Sequence, residues 1–266
     1  MPPSPSPSRD TKSPSRSYWP IALIGLTAVL VVVIATVPAS VVTRFLPPAV
    51  QATDFSGSIW HGSAGKISLN GHDAGALEWH LQPAALLGMN VAAEIHWVKV
   101  GFVADAVVQI NRQGFTAHDM KAAGPIGDLH DLGVAAGWRG TAEANFKELK
   151  GDFVKLQAAV GDIQVSNVAS AQIASGADLG SYNLHLGDNG VDAEGNVNAQ
   201  LADTEGPLEV QTLIHYSTKN HTGMLTGTVK ERPNASPALL NQLQNISQLR
   251  ARDAQGRISI DLEFSL

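Results

Sequence analysis

From Ser17 to Thr43 this chain runs for 27 residues without a charged side chain. No other feature constrains it as strongly, because backbone carried into hydrocarbon must satisfy its own N–H and C=O groups. A single segment does that only as a helix. The centre of the run, Ile21–Val37, is 17 residues long and almost wholly aliphatic. A helix climbs about 1.5 Å per residue, so about 20 residues cross roughly 30 Å of hydrocarbon. Ile21, Ile24, Val29, Val31, Val32, Val33 and Ile34 are β-branched and would favour a strand in water. In lipid the backbone requirement decides. Tyr18 and Trp19 stand at the start, where amphipathic rings prefer the interface, and Arg44 marks the far end. The run is therefore read as one transmembrane helix from Pro20 to Val42. A cleaved signal peptide has a core of about 7–15 apolar residues before its small-residue cut. Val37-Pro38-Ala39 offers such a cut, but the core is longer and so is the segment before it. A buried soluble helix would show a polar face, and this run shows none.

The net charge of −6 is unevenly placed. Before the run, Arg9, Lys12 and Arg16 oppose only Asp10, a net of +2; beyond Arg44, 14 Lys and Arg stand against 23 Asp and Glu, a net of −9. Basic residues beside a spanning helix mark the cytoplasmic side. The expected layout is a disordered cytoplasmic tail over 1–17, rich in Ser-Pro, an anchor over 18–43, and a β-rich periplasmic domain over 44–266. An acidic domain without a basic stripe argues against nucleic acid. The chain contains no cysteine, which excludes disulfides, thiolate metal sites, iron–sulfur clusters and a cysteine nucleophile.

Beyond Pro47-Pro48 the chain breaks into short alternating runs separated by Gly, Asn and Asp. Leu77, Trp79 and Leu81 alternate with Glu78 and His80, and Ile258–Leu266 alternates over nine residues, the period of a half-buried strand. Similar runs are Ile67–Leu69, Val91–Val100, Phe102–Ile110, Phe115–Met120, Ala142–Phe146, Phe153–Ala159, Tyr182–Leu186, Val191–Leu201, Leu208–Tyr216 and Gly223–Val229. Asn70-Gly71 and Asp188-Asn189-Gly190 sit between runs as hairpin signals. The expected fold is all-β and mostly antiparallel, a curved sheet or a sandwich. Pro83–Leu87 reads as a helical turn stopped by Gly88. Ser236 and Pro237 open an amphipathic C-terminal helix whose stripe is Leu239, Leu240, Leu243, Ile246 and Leu249.

Catalytic signatures are weak. The nine histidines are scattered, without the HExxH spacing that puts two metal ligands on one helical face. His80 and His96 read as solvent-face strand residues. Ser63-Ala-Gly-Lys66 has the Ser-x-x-Lys spacing but lies between glycines ahead of a strand, without the companion motifs. No catalytic residue, cofactor or metal site is assigned.

More distinctive are Gly57-Ser-Ile-Trp60-His-Gly62 and Trp79-His-Leu-Gln-Pro83-Ala-Ala-Leu-Leu87-Gly88. Gly180-Ser-Tyr182-Asn-Leu184, Gly206-Pro207-Leu208 and Gly227-Thr-Val-Lys-Glu-Arg232-Pro233 follow in order. As simple β-core anchors these residues need no function. As an ordered pattern they resemble the N component of bacterial type II secretion systems (the GspN family). The segment Val91–Gly176 carries little of the pattern, and nothing is carried over there. The resemblance implies a non-enzymatic inner-membrane component of the machine that exports folded proteins from the periplasm. Its implied partners are the other inner-membrane subunits and the outer-membrane secretin. The chain is also similar, more distantly, to AsmA-like β proteins, which implies a rival class: an envelope protein that binds or transfers lipid.

Overall fold

The computed structural model describes residues 32–33, 35–128, 136–152, 154–173, 176–247 and 252–265. The chain divides into two compact units, Met1–Val37 and Pro38–Leu266. In the first, the described residues form a short piece of helix in which the Thr36 N–H donates to the Val32 carbonyl. Most of the expected membrane span lies outside the described residues, and among those no helix is long and apolar enough to cross a membrane.

The second unit opens with a 3-10 helix, Ala39–Phe45, that packs on the first two strands. Thirteen strands follow. They are β1 (Val50–Gly57), β2 (His61–Leu69), β3 (His72–Leu81), β4 (Val91–Lys99), β5 (Phe102–Ile110), β6 (Phe115–Pro125) and β7 (Trp138–Gly151). Then come β8 (Leu156–Ser170), β9 (Asp178–Leu186), β10 (Val197–Glu205), β11 (Leu208–Ser217), β12 (Thr222–Glu231) and β13 (Ile258–Ser265). Each pairs antiparallel with its successor, giving one unclosed sheet in chain order. A single sheet, not a sandwich, is the outcome.

Residues opposite each other in an antiparallel pair share a face, so the register can be followed across the sheet. One row passes through every strand: Phe55, Ala64, Leu77, Trp97, Ala104, Ala122, Ala144, Ile163, Leu184, Leu201, Thr212, Gly227 and Ile260. A second row, one residue along, holds Ser56, Ser63, Glu78, His96, Asp105, Lys121, Asn145, Asp162, His185, Gln200, Leu213, Thr226 and Asp261. The alternation of single strands thus sums to one apolar and one polar face over the whole sheet. On the polar face, His96 pairs with Asp105 at 2.6 Å and His185 with Asp162 at 2.8 Å.

Only part of the apolar face carries a second layer among the described residues. The helix α1 (Pro237–Ser247) buries Leu239 and Leu243 against Val210, Val229 and Ile258, beside Val168 and Leu179. The Ser236 hydroxyl accepts the Leu239 N–H at 3.3 Å, and its carbonyl accepts the Leu240 N–H at 2.9 Å, closing the first turn. Leu249, the last residue of the expected stripe, lies outside the described residues. A smaller core gathers Ala159, Leu186 and Ala199 with Phe146, Val197 and Ile214 around them.

Several sequence expectations shift, and β2 and β7 run well beyond the expected Ile67–Leu69 and Ala142–Phe146. β1 was not expected, since its alternation is broken where Asp54 takes φ 58° and drops out of the pairing. The run Val191–Leu201 becomes a strand only from Val197, because the Asp192 carboxylate accepts the N–H groups of Glu194 and Asn196 and holds the preceding residues in a turn. β8 begins at Leu156 and continues to Ser170, well past the expected run.

Candidate functional site

The pattern residues gather at two places. The first is the β1–β2 turn. Gly57 takes φ 79°, and Ser58 closes the turn: its N–H donates to the His61 carbonyl at 2.9 Å, while its hydroxyl accepts the N–H groups of Trp60 and His61. Trp79, arriving on β3, lies over Gly62. A Cβ on Gly62 would stand 2.5 Å from the Trp79 ring and 2.5 Å from the Ser58 carbonyl, so the position must stay bare. The indole N–H of Trp79 then donates to the Ile59 carbonyl at 2.9 Å, and Phe55 meets the ring edge-on at 6.4 Å. One side chain therefore staples the turn, the hairpin and the third strand. The Leu81 N–H donates to the Trp60 carbonyl at 2.7 Å, continuing the contact towards Pro83. From Pro83 the chain forms a 3-10 helix to Gly88. Its left-handed cap is Met89, not the glycine; the Met89 N–H donates to the Leu86 carbonyl and the Asn90 N–H to the Ala85 carbonyl.

The second place joins β9 to β12. Gly180 and Gly206 cross so closely that a Cβ on Gly206 would stand 2.3 Å from the Gly180 Cα. Pro207 is buried beside them. Arg232 reaches back from the end of β12: its guanidinium pairs with Asp203 at 2.5 Å and donates to the Gly206 carbonyl at 3.2 Å. The other Asp203 oxygen accepts the Val210 N–H at 2.6 Å. The Tyr182 hydroxyl donates to the Leu179 carbonyl at 2.6 Å. Burial, followed by the negative charge of Asp203, pushes the Tyr182 phenol up to about 12. Pro233 is exposed just past Arg232, and Gly227 lies in the apolar row beneath Thr212. A side chain at Gly227 would strike the Gln211 carbonyl.

Beside the first cluster the polar face forms an open groove of about 670 Å³, lined by Ser63, Glu78, His80, Glu94, His96 and Asp105 among others. The rings of His61 and His80 lie 3.9 Å apart across β2 and β3. Among the described residues no group of three or more His, Asp or Glu is placed to hold a metal. What the two clusters offer chemically is saturated hydrogen bonding to backbone. That arrangement fixes geometry.

The sequence profile of the type II secretion system (T2SS), protein N, matches residues 48–261. The chain belongs to that family. Searches of curated proteins and of solved structures gave no match. For this family member the match spans β1 to β12, α1 and the start of β13, and so covers both clusters and the sheet that separates them.

Of the twelve pattern residues, Gly57, Trp60, Gly62 and Trp79 come together around the first turn, and Tyr182, Gly206, Pro207 and Arg232 around the second. Pro83, Gly88, Gly227 and Pro233 stand apart from the hydrogen bonds of either cluster. Sequence reading did not single out Asp203, the buried partner of Arg232; an acidic residue three positions before Gly206-Pro207 was the available signal. His80 and His96, read from the sequence as solvent-face strand residues, line the groove, and their cross-strand neighbours become visible only once the register is known.

Proposed function

We propose that this chain is an accessory, non-catalytic subunit of type II secretion, held in the inner membrane by its charge-free run with the β-sheet in the periplasm. The observation that carries the secretion role is the family match over residues 48–261. Support for the anchor comes from the 27-residue uncharged run and the +2 against −9 charge split around it. Partners are the inner-membrane subunits of the machine and the secretin, reached through a sheet that can pair at its edges while the anchor raises local concentration. Deleting the gene and following secreted enzymes tests the role. Enzymes retained in the periplasm, together with reduced levels of a partner subunit, support it. Normal secretion with unchanged subunit levels sinks it.

One observation favours a second reading, lipid binding. The apolar row crosses all thirteen strands, and among the described residues α1 covers it only at the β8–β9 and β11–β13 part of the sheet. A recess of about 340 Å³ on this face, lined by Ile126, Trp138, Val165, Val168, Leu179, Tyr182 and Leu201, is almost free of polar atoms. Native mass spectrometry of the sheet unit decides: a co-purifying phospholipid supports this reading, and a bare protein removes it.

A further inference from the structure

The two ends of the sheet differ. Antiparallel order puts the turns after β1, β3, β5 and β7 at one end and those after β2, β4 and β6 at the other. At the first end, the Pro83–Gly88 turn and Met89 present Leu86, Leu87 and Met89 outward; Leu87 is 92% and Met89 84% exposed. Val154, in the β7–β8 turn at the same end, is 94% exposed. Scattered exposed apolar residues are ordinary, but three observations set this turn apart. Its three apolar residues are nearly consecutive. Met89 occupies a left-handed cap, φ 57°, that glycine or asparagine usually takes, so a long apolar side chain stands where the backbone disfavours one. Finally, Pro38, near the end of the charge-free run, bridges Ser58 just past β1, so the chain joins the sheet unit at this same end. Trp60 lies there too, one hydrogen bond from Leu81. Arg112 lies there as well, exposed in the β5–β6 turn that follows Ile110, which pairs with Val91.

The geometry points to the Pro83–Met89 turn as a membrane-interface contact. Leu86, Leu87 and Met89 enter the headgroup–acyl boundary of the bilayer, with Arg112 placed for lipid phosphates. Strands of nine residues rise roughly 30 Å, so the opposite end, with the Arg232 cluster and α1, stands about that far from the lipid. The inference rests on reading the charge-free run as a membrane span; a second point of attachment then fixes the tilt of the sheet.

The chain has no cysteine, so single probes are specific. Full-length protein carrying Leu87→Cys, Met89→Cys, Val100→Cys or Val29→Cys is labelled with an environment-sensitive dye. It is then reconstituted in phosphatidylethanolamine–phosphatidylglycerol vesicles containing lipid brominated either near the head of its acyl chains, to report 87, 89 and 100, or near their ends, to report 29. Val100 is the control, 87% exposed but in the β4–β5 turn at the opposite end. Val29 reports the anchor. The expected result is roughly twofold or greater quenching at 87 and 89 and none at 100. Quenching at 29 but not at 87 overturns the turn contact and leaves the anchor standing. Quenching at 87 and 89 but not at 29 upholds the turn contact and removes the anchor. Equal quenching at 87 and 100 overturns the end-specific contact.

Discussion

Arg232→Met is the sharpest probe of the second cluster. The guanidinium pairs with a carboxylate whose side chain is 6% exposed, while its own is 36% exposed. Its removal leaves Asp203 with the Val210 N–H as its remaining partner in that network and the Gly206 carbonyl without its guanidinium donor. Breaking a fully buried pair costs about 3–5 kcal/mol. Water reaches this guanidinium, so the screened figure is nearer 2–3 kcal/mol. Asp203→Asn alone keeps an oxygen for Val210 and should cost about 1–2 kcal/mol. Because the two residues share one network, the double variant should cost less than the sum of the singles by about 1–2 kcal/mol. Urea unfolding of the chain from Pro38 onward, followed by tryptophan fluorescence, measures all three. Strict additivity, or a loss below about 0.5 kcal/mol for Arg232→Met, would refute the claim that this pair ties the end of β12 to the β10–β11 turn.

Three further outcomes are expected. Gly62→Ala places a methyl against backbone and indole at once, so it should cost about 1–3 kcal/mol in the same assay; a neutral result would mean the turn yields freely. The Tyr182 phenol sits higher in the folded chain, at about 12, than in the unfolded chain. Its contribution is therefore complete below roughly pH 10 and lost as pH rises through the folded value. Tyr182→Phe should flatten that alkaline limb in unfolding curves collected from pH 9 to 12. In acid the sign reverses. The Arg252 guanidinium holds the Glu231 carboxyl below its ordinary value, so its contribution is present above roughly pH 4 and fades below it. Arg252→Gln should shrink the acid loss of stability, and an unchanged slope would count against the pair.

Much of the sheet was legible because a half-buried strand writes its period directly into sequence. Leu77 to Leu81 and Ile258 to Leu266 alternate, and Asn70-Gly71 adopts the two positive φ values of a tight hairpin. What could not be read was how the strands add up. Alternation says that each strand has two faces but not whether a second sheet covers one of them, and both outcomes use the same pattern. Five of the twelve pairings carry a register shift, at positions such as Asp203 and Asp105, and nothing in local composition marks these bulges. The Gly and Trp pattern located both clusters. Their shared logic, bare glycines where backbone or an indole approaches, emerges only from distances.

That logic explains why such a pattern suits a one-layer sheet. In a sandwich, a strand that slips by one residue turns its apolar face out of a closed core, and the opposing sheet penalises the error. Here the apolar row is half-exposed over much of its course, so the penalty is smaller and register must be held where strands turn. Trp79 holds it at the start of the sheet through its Ile59 hydrogen bond and its fit on Gly62; Arg232 and the Gly180–Gly206 crossing hold it near the end. Trp79→Ala should therefore act locally. It removes a half-buried aromatic and one hydrogen bond, about 2–4 kcal/mol. Amide hydrogen exchange should accelerate first in β1 and β2, at Phe55 and Ala64, while β11 and β12 keep their protection. A uniform rise across all thirteen strands would mean that the tryptophan belongs to one cooperative core and that register is set elsewhere.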